Sequence, residues 1–114
     1  MPLLRIETNV TADEDQCQTL ITEASQTVAR ELGKPEQYVM VALEPNARML
    51  FAGGPAPLAY LELRSIGLAE NQTAPLSAAL CDLMERTLGI RKDRVFINFA
   101  SVPPAMWGWN GGTF

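Results

Sequence analysis

A chain of 114 residues with 47% apolar content fits a single domain, residues 1–114, with a moderate core that oligomerisation would supplement. Nine basic residues against thirteen acidic ones give a net charge of −4, which repels phosphate backbones and anionic lipid and argues against nucleic acid or membrane as partners. With no histidine, a serine or cysteine triad using a histidine base is excluded, and no His/Cys cluster offers a metal site.

The opening residues Met1-Pro2-Leu3-Leu4-Arg5-Ile6 read as a strand that begins on a proline. Removal of Met1 would leave Pro2 with a free secondary amine. Terminal amines titrate near 7.7–8.0 when unperturbed, and burial lowers that value, so such a group is a base at neutral pH.

Thr11 and Glu14 stand at capping-box spacing, and Cys17, Leu20, Ile21, Ala24, Val28 and Leu32 recur every three or four residues. The pattern predicts a helix over Ala12–Leu32, stopped by Gly33 and Pro35. Tyr38 to Leu43 is apolar at nearly every position, as a strand covered on both faces would be. Arg48 to Ala52 reads as a short edge strand, and Gly53-Gly54-Pro55-Ala56-Pro57 as a linker where the pattern restarts.

Leu58 to Ser65 alternates as a half-wet strand and Ser65-Ile66-Gly67 closes it. A second helix begins between Ala69 and Thr73, carries Leu76, Leu80, Leu83, Met84 and Leu88 as its stripe, and stops at Gly89. Val95 to Phe99 is the last regular strand, ahead of an aromatic, glycine-rich tail from Pro103 to Phe114.

A shift of 56 residues places Leu32-Gly33 on Leu88-Gly89 and Val39 on Val95. The chain therefore reads as two pseudo-repeats, about 1–52 and 58–102. The predicted fold is α+β: a tandem β-α-β repeat giving a four-stranded mixed sheet with two helices on one face. The other face is expected to expose apolar residues of the central strands, which further subunits would cover.

Cys17 and Cys81 fall on helix stripes and read as small hydrophobes, with too few thiols for a disulfide framework. Lys34, by pattern, is a helix-end cation, and Phe96, Trp109 and Phe114 are packing residues. The apolar runs fall short of the roughly 20 residues of a spanning helix, and the chain shows no signal-peptide pattern. The cytoplasm is the expected compartment, with unconventional secretion left open.

Taken together, Pro2, Thr8-Asn9-Val10, Gly33-Lys34-Pro35 with Gln37-Tyr38, Ser65-Ile66-Gly67, Asp93-Arg94-Val95 with Ile97-Asn98, and Gly108-Trp109-Asn110 ending in Thr113-Phe114 resemble the macrophage migration inhibitory factor family of the tautomerase superfamily. The resemblance spans the whole chain. It implies a homotrimer with active sites between subunits, and a cofactor-independent keto–enol tautomerase acting on phenylpyruvate-type 2-keto acids.

In that reading Pro2 is the catalytic base. Lys34 and the backbone N–H of Ile66 hold the substrate carboxylate, with Ser65 nearby. Asn98, Phe96, Trp109 and Phe114 are expected from the adjacent subunit, and Tyr38 completes the aromatic wall. Lys34 is the one pocket cation the motifs identify.

Two departures stand out. Phe96 replaces a tyrosine of the animal members, removing a hydroxyl donor, and Leu58-Ala59-Tyr60-Leu61 replaces their C-x-x-C stretch, removing any thiol-redox activity. The alternatives are a cytokine-like receptor-binding protein with a vestigial pocket, or a hydratase or dehalogenase acting on a small unsaturated acid. The latter chemistry calls for further pocket cations.

Overall fold

The computed structural model describes residues 1–114. Strand β1 (Pro2–Thr8) is followed by helix α1 (Glu14–Leu32) and strand β2 (Met40–Glu44). Strand β3 (Ala59–Ile66), helix α2 (Thr73–Leu88) and strand β4 (Val95–Val102) repeat that order. A small hairpin, β5 (Gly108–Trp109) and β6 (Gly112–Thr113), ends the chain.

The sheet runs β2-β1-β3-β4. Strands β1 and β2 are parallel, as are β3 and β4, while β1 and β3 meet antiparallel. The mixed four-stranded sheet with a β-α-β repeat is thus as expected, and the halves join at one central antiparallel seam. Both helices end on a left-handed glycine, Gly33 at φ 63° and Gly89 at φ 68°, which explains why the repeat aligned there.

The core follows from strand alternation. Leu4 and Ile6 of β1 and Leu61 and Leu63 of β3 pack with Leu20, Ala24 and Val28 of α1 and Leu76, Leu80 and Leu83 of α2. Each fully buried leucine of this kind contributes about 1.5–3 kcal/mol. Thr8 ends the buried row of β1, where its Oγ1 donates to the Leu58 carbonyl oxygen at 2.7 Å and accepts the Val10 N–H at 3.1 Å.

The opposite sheet face corrects the expectation of an apolar surface. On the central strands it carries Arg5, Glu7, Glu62 and Tyr60, because the same alternation that buries the leucines turns these outward. Arg5 bridges Glu7 and Glu62 at 3.0 Å each, and Tyr60 donates to Glu62 at 3.1 Å. Burial, the Glu62 contact and the charges of Glu62 and Glu7 together raise the Tyr60 phenol above its ordinary value.

Four local expectations also change. The capping box is Asp13 with Gln16, not Thr11 with Glu14: Asp13 Oδ1 accepts the Gln16 N–H at 2.8 Å and Gln16 Oε1 accepts the Asp13 N–H at 3.1 Å. β2 starts at Met40 because Glu36–Tyr38 forms a 3-10 turn, and the strand hides only Val41 and Leu43 against the core while Met40 is exposed.

Arg48–Ala52 is loop with a single bridge between Phe51 and Gly54. The following segment is not a free linker. Asn9 holds it through Pro55 and Leu58, and Arg94 donates to the carbonyls of Phe51, Gly54, Ala56 and Pro57. No helix is long and apolar enough to cross a membrane.

Candidate active site

The register of β1 on β3 sets the site. Pro2 pairs with Ser65, so the start of the chain lies beside the end of β3, and both residues are buried. The left-handed turn at Gly33 delivers Lys34 to the same place from the end of α1, where its Nζ donates to the Ile66 carbonyl oxygen at 2.7 Å. The terminal amine, on Met1 in this chain, is held below its ordinary value of 8.0, first by burial and then by the charge and hydrogen bonding of Lys34.

A cavity of about 490 Å³ opens at this point, lined by 14 residues of which 10 are hydrophobic. Met1, Pro2 and Leu3 form one part of its wall and Tyr38 to Met40 another. The C-terminal tail folds back to line another side of it with Met106, Trp107, Trp109 and Phe114. Asn110 (φ 52°) and Gly111 (φ 81°) make the tight turn that allows this return. Trp109 stands edge-on to Tyr38 at 5.8 Å and stacks on Phe114 at 5.4 Å, so the wall is aromatic.

The residues singled out in the sequence divide into three groups. Pro2, Tyr38, Trp109 and Phe114 share the cavity of one chain, which corrects the expectation that Trp109 and Phe114 arrive from a neighbour. Lys34, Ser65 and Ile66 adjoin Pro2 without lining that wall.

Phe96 and Asn98 lie elsewhere, opposite Tyr60 and Glu62 on the outward face. Phe96 is 64% exposed, packs on Phe51 at 4.6 Å and borders a second, wholly apolar cavity of about 330 Å³ with Leu50.

Sequence reasoning missed Arg64. It lines the Pro2 cavity, whereas Lys34 adjoins Pro2 outside that lining, so a second cation stands at this end of the sheet. The available signal was its position two residues before Ile66, which puts both on one face of β3. No three His, Cys, Asp or Glu side chains gather where they could hold a metal ion.

The family model for macrophage migration inhibitory factor matches residues 1–114. The chain belongs to the macrophage migration inhibitory factor family. It is 38% identical to macrophage migration inhibitory factor of Meriones unguiculatus and 36% identical to that of Xenopus tropicalis, with 100% of this chain and 99% of each relative covered. The family fold is matched in solved structures. A macrophage migration inhibitory factor homologue from Prochlorococcus marinus superposes with a TM-score of 0.93 at 42% identity, covering 98% of both chains. The Trichinella spiralis protein gives 0.92 at 33% identity, over 98% of this chain and 99% of that one. This family fold is that of the tautomerase superfamily.

Proposed function

We propose that the protein is a cofactor-independent keto–enol tautomerase of phenylpyruvate-type 2-keto acids, with Pro2 as general base once Met1 is removed. The observation that carries this reading is the convergence of a buried Pro2, the Lys34 ammonium and an aromatic cavity at one end of the central seam. Burial and the nearby Lys34 lower the Met1 amine, and the same two causes disfavour the charged form of an amine placed at Pro2. A neutral secondary amine then accepts a proton at physiological pH.

In the enolising direction the Pro2 nitrogen takes a proton from the carbon beside the keto group, leaving an enolate, and the resulting ammonium returns that proton to the enolate oxygen, regenerating the base. Ketonisation reverses both transfers, so no net proton is consumed. Lys34 holds the carboxylate, with Ser65 and the Ile66 amide beside it, and stabilises the enolate charge. Tyr38, Trp109 and Phe114 hold the aromatic ring.

The active assembly in this reading is a homotrimer. Phe96 and Asn98 are exposed in a single chain, and a neighbouring subunit is what brings such residues to a cavity they do not otherwise reach. Sedimentation at micromolar concentration checks this, and a monomer would contradict it.

The test of the reaction is phenylpyruvate ketonisation by wild type and Pro2→Gly, with intact mass confirming loss of Met1. Activity that collapses in the variant is expected. A trimmed wild type without activity removes the phenylpyruvate assignment.

A further inference from the structure

We infer that the Pro2 cavity is built for a 2-keto acid with a second anionic group, bound by Arg64; this rests on the tautomerase reading for the role of Lys34. Arg64 is in the cavity wall, and it makes no ion pair and no side-chain hydrogen bond within the chain.

Its freedom has a structural cause. The register places Leu3 on one side of Arg64 and Ala100 on the other, so no carboxylate stands opposite it. The nearest acid on its own strand and face is Glu62, whose two oxygens are already taken by Arg5 at 3.0 Å and Tyr60 at 3.1 Å. None of the 14 lining residues is Asp or Glu. An acidic protein thus presents, at the exposed rim of a mostly hydrophobic cavity, a guanidinium that no carboxylate of the chain neutralises.

The spacing fits two anions on one ligand. Lys34 is fixed at Ile66, and Arg64 sits two residues earlier on β3, roughly 7 Å along a strand. One cation then takes the carboxylate beside the reacting carbonyl and the other takes a carboxylate further along the chain. A planar guanidinium suits the second role because it can bind a carboxylate through two parallel N–H donors.

The probes are 2-oxoglutarate and its monoanionic isostere 2-oxopentanoate, presented to full-length protein from which an aminopeptidase has removed Met1, as verified by mass. Binding is followed by the fluorescence of Trp107 and Trp109, and turnover by deuterium exchange at the carbon beside the keto group. Wild type is expected to bind the dianion roughly tenfold more tightly, the effect of one charge-assisted contact. Arg64→Gln should abolish that preference and Arg64→Lys should keep part of it.

Equal binding of the two acids by wild type overturns the inference. So does a variant whose only change is in sedimentation or melting, which would make Arg64 an assembly residue. Dianion preference without exchange supports the two-cation cavity and overturns the Pro2 reading, while exchange without preference does the reverse.

Discussion

Lys34 and Ile66 are 32 positions apart in sequence, yet the Lys34 Nζ lies 2.7 Å from the Ile66 carbonyl oxygen, tying the end of the first helix to the end of the third strand. One backbone carbonyl therefore orients the ammonium that faces the chain terminus.

Lys34→Ala should raise KM for phenylpyruvate roughly tenfold or more, the usual worth of a charged hydrogen bond. It should also shift the acid limb of the kcat/KM profile to higher pH. The sign follows from the cause: Lys34 disfavours the protonated amine, so removing it lets the amine hold its proton to higher pH. A pH–rate profile of both proteins checks the direction.

Thr8→Val should cost about 1–3 kcal/mol, because an isosteric methyl leaves the Leu58 carbonyl and the Val10 N–H without their buried partner. Urea denaturation should show a lower midpoint with an unchanged slope.

Arg94→Ala should destabilise the protein by about 2 kcal/mol and open the 51–57 loop to proteolysis. The guanidinium lies 5.1 Å from the Phe51 ring centroid as well as donating to four carbonyls. Arg94→Lys should not rescue it, since a single ammonium cannot reproduce a planar fork of donors. Limited proteolysis with mass mapping reads the loop directly.

Gly33→Ala and Gly89→Ala should each cost about 1 kcal/mol, and the double variant should lose their sum. A Cβ would meet nothing within 4 Å at either position, so the whole effect is backbone strain at positive φ. Thermal melting of the three variants tests both the size and the additivity.

The fold was legible because its signals repeat. Two amphipathic stripes end on glycines 56 residues apart, and each follows an apolar strand segment. The boundaries were less legible where local codes overlap. Thr11 with Glu14 and Asp13 with Gln16 both satisfy the capping spacing, and only the folded backbone selects the second pair. Met49, Leu50 and Phe51 look like strand residues, but Arg94, more than 40 positions away, holds their loop in place. β4 runs on to Val102 because nothing in Ala100-Ser101 stops a strand before Pro103.

The candidate site was legible where motifs mark it and hidden where register makes it. Pro2 stands out by its place after Met1, whereas Lys34 and the aromatic tail read by pattern as a helix-end cation and packing residues, and only the family motifs single them out. Arg64 became visible only when the pairing of β3 between Leu3 and Ala100 showed a charge with no partner.

The central position of β1 also governs timing during synthesis. Its antiparallel partner ends at Ile66, so more than half the chain must be made before the amino terminus can be sealed into the sheet. At ribosomal speeds that interval is on the order of seconds. A terminus left unpaired for that interval is fully open to processing, whereas in the folded chain the partly buried Met1 beside Pro2 is less so.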